Sequence, residues 1–205
     1  MSAGWINAHV TVAPYTYPHW YGGLGPGDII ADEVTRRLGA TTAPWGSSNT
    51  LLSWFTDDSR IQRVHLLDRG DFTATPVLCV YLAARNHLEA PGSLDVNTVR
   101  LEIAVVAETA SIAGALTNGT ASVETVLSYI KRFLAYPNTR NLQVTINSAN
   151  FQLVKSPVVF GQVGLVPAVG GQGGLSAWIL PIEYGIDVDM ASGQISNLAI
   201  NDPNA

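Results

Sequence analysis

The side chains that most often carry out chemistry are few in this sequence and widely spaced. The four histidines, His9, His19, His65 and His87, show no spacing that would direct two imidazoles at one metal ion. The single cysteine, Cys79, excludes an internal disulfide and a zinc site built from cysteines. Its apolar neighbours are typical of a buried, unreactive thiol. We therefore expect no metal site and no nucleophilic cysteine.

Two glycine-containing stretches come close to known catalytic and phosphate-binding motifs but do not complete them. The segment Gly174–Trp178 begins like the turn that presents a catalytic serine, yet tryptophan stands where that turn needs glycine. The run Gly170–Gly174 does not match the spacing of a nucleotide-binding loop. Asp187 and Asp189 share one strand face, where solvent-exposed carboxylates are the expected interpretation. We predict no catalytic, cofactor-binding or metal-binding residues, and an enzyme with dispersed active-site residues is only an alternative.

The composition excludes several classes of protein. The chain has 205 residues, a net charge of -5, 47% hydrophobic residues and only 13% charged residues, about half the usual charged fraction. A negative net charge argues against nucleic-acid phosphate as the main partner. The longest apolar run, Val77–Ala84, is too short to span a bilayer, and Met1–Asn7 lacks the features of a secretory signal. We expect a soluble single domain over 1–205 with no membrane partner.

Two segments are candidates for contacts between subunits. Aromatic residues cluster near the N-terminus, and Gly161–Gly174 contains six glycines and no charged residue. Aromatic side chains are favoured in protein interfaces, although a sugar-binding platform centred on Trp20 is an alternative. The predicted interface residues are Trp5, Tyr15, Tyr17, Trp20, Tyr21, Gly164, Gly170, Gly171, Gly173 and Gly174.

Two helices can be predicted from apolar periodicity. The first covers Asp28–Leu38, with Asp28 as the N-cap and Gly39 in the left-handed conformation that often ends a helix. The second covers Val123–Leu134, follows cap candidates at Asn118–Ser122, and has an apolar stripe that we expect in the core. That stripe consists of Val123, Val126, Leu127, Ile130 and Leu134.

Alternating apolar residues predict the main strands. Val77–Ala84 and Thr98–Glu108 are expected to pair antiparallel, and Ser176–Met190 to form a long strand whose Pro181 requires an edge or a bulge. A hairpin is expected from Leu142–Asn147 and Phe151–Lys155.

The remaining stretches carry weaker signals. Leu51–Phe55 and Gln62–Leu67 are candidate strands, and the arginines Arg60, Arg63 and Arg69 among nearby aspartates favour a solvated surface. Residues 1–27 should be irregular, 28–190 should form the core, and 191–205 should be a frayed polar tail. The expected fold is α+β, with a mixed, mostly antiparallel sheet, two main helices on one face, and long loops.

The order of these elements resembles that of tail terminator proteins of long-tailed bacteriophages. The resemblance covers about residues 28 to 190. It is carried by the first helix, the apolar strand Thr75–Leu82, the alternating strand Val99–Val105, the helix Val123–Leu134 and the closing strand Ala177–Val188.

The resemblance implies a structural role in a virion. Such proteins form a hexameric ring that caps the tail tube, stops its polymerisation and joins it to the head connector, while DNA passes through the lumen. The implied partners are the tail tube protein, connector proteins and further copies of the chain, with assembly in the host cytoplasm and no cofactor. The aromatic N-terminal segment and Gly161–Gly174 are extra length for this family. The alternatives are a tail tube or other neck subunit, or a β-rich carbohydrate-binding module.

Overall fold

The computed structural model describes residues 25–55, 60–64, 76–88, 96–108, 122–137, 139–146, 149–166, 175–189 and 194–195. The helices of these segments are α1 (Pro26–Leu38), α2 (Thr50–Trp54) and α3 (Val123–Ala135). The strands are β1 (Ile61–Arg63), β2 (Val77–Leu88), β3 (Val96–Glu108), β4 (Gln143–Ile146), β5 (Ala149–Gln152), β6 (Val159–Phe160), β7 (Gly164–Val166), β8 (Leu175–Asp189) and β9 (Gln194–Ile195).

Most of the strands form one mixed sheet. Its order is β1-β2-β3-β8-β6, with β7 and β9 also paired to β8, while β4 and β5 form a separate hairpin. Only the β1–β2 pair is parallel among these pairings. The prediction of an α+β fold with a mostly antiparallel mixed sheet is therefore confirmed.

The main core lies between one face of this sheet and the helices. Val99, Leu101 and Ile103 of β3 stand directly opposite Tyr184, Ile182 and Leu180 of β8. All six side chains are buried in a cluster that includes residues of α1, α2 and α3. Because successive strand residues point to opposite faces, the alternation in the sequence was sufficient to identify this face.

A second, smaller cluster covers part of the opposite face of the sheet. It contains Val77, Cys79, Ala104, Val106 and Ala177, all buried. Burial raises the pKa of the Cys79 thiol to about 12, so the thiolate is not formed near neutral pH. The prediction of a buried cysteine is confirmed.

Helix α3 matches its prediction closely. The Ser122 hydroxyl accepts a hydrogen bond from the Thr125 amide and so caps the helix. Four residues of the predicted stripe are buried, whereas Val123 is partly buried against the same cluster. The stripe therefore forms part of the core, as expected.

The predicted caps of α1 are wrong. The helix begins at Pro26, two residues before the expected start, and Gly25 is its N-cap without a side-chain bond. Proline at the first position suits a helix start because it has no N–H to leave unpaired. Asp28 lies in the first turn and pairs with Arg63, and Gly39 has a φ of -85°, which is not left-handed.

The stretch predicted as a strand at Leu51–Phe55 is helical instead. The Asn49 side chain accepts a hydrogen bond from the Leu51 amide and caps α2. Leu51 and Phe55 are both fully buried, and residues four apart lie on one face of a helix. Five residues are too few for periodicity to separate a helix from a strand.

One strand extends beyond its predicted end, and a short strand lies where none was predicted. β2 continues past Ala84 to Leu88, after an irregularity in register between Leu82 and Ala84. In the predicted tail, Gln194–Ile195 pairs with the end of β8, and Ile195 is buried. The polar composition of the tail did not reveal this short pairing.

Pro181 lies in an interior strand, contrary to the expectation of an edge or a bulge. Its carbonyl accepts a hydrogen bond from the Gly161 amide, on the side of β8 opposite β3. In an antiparallel strand the N–H and C=O of one residue point to the same neighbour. The missing N–H of Pro181 therefore faces the gap between β6 and β7, so the ladder with β3 loses no hydrogen bond.

The remaining predictions are confirmed in part. β4 and β5 pair as a hairpin, although β5 starts at Ala149 and not at Phe151. Gly161–Gly174 is not entirely a loop, since it contains β7, and 167–174 lie outside the described residues. No helix in the described part of the chain is both long and apolar enough to cross a membrane.

Candidate assembly surface

The side of β8 opposite β3 is lined by two short strands that leave apolar side chains exposed. β6 pairs with Glu183 and Ile182, and β7 pairs with Ile179, Trp178 and Ala177. Val159 is 61% exposed, Leu165 56% and Val166 36%. We call β6 and β7 together the β6–β7 edge.

Strand β7 exposes both of its faces. Leu165 stands opposite Trp178 and Val166 opposite Ala177, and consecutive strand residues point to opposite sides of the sheet. Among the described strands, none pairs with the outer side of β7. A strand with an open backbone edge and exposed apolar side chains is a surface on which another chain can pair.

An open depression of about 390 Å³ lies beside β6. Val159, Phe160 and Gly161 line it together with the charged Arg100 and Glu183. An added Cβ at Gly161 would lie 3.0 Å from the Pro181 side chain. The chain directly after β6 therefore packs closely on β8, and the surface of the depression combines apolar and charged groups.

Of the predicted interface residues, only Gly164 falls in the described part of the chain. It is the first residue of β7 and is exposed, with open space around its Cα. Trp5, Tyr15, Tyr17, Trp20, Tyr21, Gly170, Gly171, Gly173 and Gly174 lie outside the described residues. Leu165 and Val166 were not named individually but lie within Gly161–Gly174, a candidate segment for subunit contacts, whereas Val159 lies outside it.

A buried group of charged residues is the second feature that the sequence did not reveal. Arg63 was expected on a solvated surface, but its side chain is only 2% exposed. Its guanidinium lies 2.5 Å from Asp28 Oδ1 and 3.2 Å from Asp32 Oδ1. Because the two aspartates are one helical turn apart on α1, both reach the same arginine of β1.

The next residue of α1 carries another buried carboxylate. Glu33 accepts hydrogen bonds from Arg36 at 2.9 and 2.6 Å and from Arg37 at 2.6 Å. Burial alone would raise the pKa of Glu33, but the two arginines outweigh this effect and hold the pKa below its ordinary value. This carboxylate is therefore ionised and fully paired, which is typical of a structural ion pair.

A third polar group lies on the sheet face beside α1. The Tyr184 hydroxyl is buried without a hydrogen-bond partner, and burial raises the pKa of the phenol. Arg37 and Glu33 are the charged groups that influence it. Because the phenol is neutral and its hydroxyl forms no hydrogen bond with a described group, Tyr184 contributes to stability through the packing of its ring.

No group of three or more histidine, cysteine or acidic residues in the described segments is placed to hold a metal ion. Asp187 pairs with Lys155 at 3.0 Å, and the side chain of Asp189 is not among the described ones. Comparison with known proteins gives no further lead, because no family model and no curated protein matches the chain.

Proposed function

We propose that this protein is a structural virion protein that acts as a tail terminator. It assembles as a hexameric ring on the end of the tail tube, stops its polymerisation and joins it to the head connector. The observation that supports this proposal best is the β6–β7 edge, where Leu165 and Val166 are exposed on opposite faces of a strand whose outer side pairs with no described strand. Such an edge is suited to pairing with a second copy of the chain.

The order of elements also supports the proposal. A helix, an apolar strand, an alternating strand, a second helix and a long closing strand follow each other as α1, β2, β3, α3 and β8. The low content of charged residues suits a chain whose surface is shared with neighbours. A net charge of -5 suits a lumen through which DNA passes without being held.

The size and shape of the assembly test this proposal. Six copies of 21.8 kDa give about 131 kDa by light scattering, and negative-stain images should show closed rings. The protein should be imaged both alone and after incubation with tail tubes from the same phage, since rings can require the tube as a template. A stable dimer that never forms rings on tubes would overturn the proposal.

Negative-stain images also distinguish a terminator from a tube subunit, by the length of the tubes that form. A terminator added to growing tubes should bind one end and stop elongation, so the tubes become shorter as its concentration rises. A tube subunit would instead polymerise into long tubes of its own. Open-ended polymers of the purified chain would therefore favour the alternative role in the tail.

A further inference from the structure

We propose that Asp28, Asp32 and Arg63 form a proton-dependent clasp that holds the edge strand β1 against α1. Strand β1 has three residues and lies at one end of the sheet, where it pairs only with β2 among the described strands. The clasp is independent of the function proposed above. It makes the docking of this strand depend on pH.

The geometry brings one guanidinium between two carboxylates. Arg63 donates to Asp28 Oδ1 and to the Val64 carbonyl, and its Nε lies 3.2 Å from Asp32 Oδ1. The side chains of Arg63 and Asp32 are only 2% and 7% exposed. The contact between Arg63 and Asp32 is therefore buried, whereas Asp28, at 29% exposed, is partly open to water.

The charges of this group do not balance when all three residues are ionised. Both oxygens of Asp32 and the Nε of Arg63 are buried without an aligned hydrogen bond. Glu33 on α1 adds a further negative charge near Asp32. From β2, the side chains that pack into the same core are the apolar Leu78, Val80 and Leu82. Glu33 is itself paired with Arg36 and Arg37, so the imbalance lies within the group of Asp28, Asp32 and Arg63, where two carboxylates share one guanidinium.

A proton on Asp32 removes this excess. Burial raises the pKa of Asp32 to about 7; Arg63 acts in the opposite direction, and Asp28 and Glu33 add to the rise. Because this pKa lies above the ordinary value of 3.8, the closed clasp binds a proton that the open state releases. The clasp is firmest below about pH 4, its stability falls as pH rises from about 4 to about 7, and it levels off above that.

Amide hydrogen exchange at β1 tests the clasp directly. The Val64 amide donates to the Val80 carbonyl, so its protection reports whether β1 is docked. Between about pH 6 and pH 8, after correction for intrinsic exchange, opening at Gln62–Val64 should rise roughly tenfold relative to amides of β3. Asp32→Asn should remove most of this pH dependence. The matched variant Asp187→Asn, in the exposed pair with Lys155, should retain it.

Two results would overturn the clasp. One is equal protection of β1 at both pH values in the unmodified protein. The other is a pH dependence that survives Asp32→Asn. If that variant does not fold, the carboxyl carbon of Asp32 can be titrated by NMR in the unmodified protein. A titration midpoint near 7 supports the clasp, and a midpoint below about 5 contradicts it.

Discussion

Tyr184 introduces a polar group into the core at a site where it gains no hydrogen bond. Its ring is fully buried opposite Val99, and its hydroxyl has no partner. Tyr129 is the opposite case, because its hydroxyl accepts from the Thr50 amide at 3.1 Å. The two tyrosines therefore separate the contribution of a phenol ring from that of its hydroxyl.

Removal of the Tyr184 hydroxyl should stabilise the protein. Tyr184→Phe keeps the ring and relieves the cost of an unpaired buried group, so the free energy of unfolding should rise by about 1 kcal/mol. Tyr129→Phe is the matched control, and it should lower the free energy of unfolding by about 1 kcal/mol. Urea unfolding followed by tryptophan fluorescence measures both. A destabilised Tyr184→Phe would show that the hydroxyl is bonded in solution.

The sequence predicted single residues well where their neighbours in the chain determine their surroundings. Cys79 lies within an apolar run and is buried as expected. Arg63 lies among aspartates of the same stretch, and this local pattern predicted a solvent-exposed side chain. Its partners come instead from α1, more than 30 positions earlier in the chain. A contact over such a separation leaves no local pattern, so the charge cluster could not be predicted.

At the scale of elements, α3 shows what a helix needs for its boundaries to be read from sequence. It has a capping serine, an apolar stripe and Pro137 just beyond its end. Helix α2 has a capping asparagine but only five residues, which is little more than one turn. Leu51 and Phe55 are buried by contacts with distant parts of the chain. The local sequence does not reveal such contacts, so it did not distinguish α2 from a strand.

The cap of α3 provides a test of this reasoning. Ser122→Ala removes the acceptor for the Thr125 amide and should lower the free energy of unfolding by about 1 kcal/mol. Ser128→Ala is the control on the exposed face of the same helix, where alanine is the better helix former and the change should be neutral or slightly stabilising. Thermal and urea unfolding of both variants give the comparison. Equal effects would mean that the cap contributes nothing measurable.

The whole molecule combines a well-covered sheet face with an edge that remains apolar and open. On the core face, buried residues of β3 and β8 meet the three helices. At the β6–β7 edge, Leu165 and Val159 are more than half exposed. The shortage of charge in the sequence predicted a surface shared with other subunits, and Gly164, one of the predicted interface residues, lies in β7 of this edge. Which side chains are exposed depends on which strands pair, and the composition does not determine this pairing.

A charge placed on β7 should prevent assembly without unfolding the subunit. Leu165 is 56% exposed, so Leu165→Lys costs the isolated chain little, whereas burial of a lysine against a neighbour would be unfavourable. We expect rings, or binding to tube ends, to be lost, while the unfolding midpoint of the subunit stays within about 2 °C.

Ser128→Lys places the same charge on the exposed face of α3 and should leave assembly intact. Light scattering and negative-stain imaging compare the two variants with the unmodified protein, and circular dichroism confirms that each subunit is folded. If Leu165→Lys assembles as well as Ser128→Lys, the β6–β7 edge is not where subunits meet. The surface shared between copies would then have to lie elsewhere on the chain.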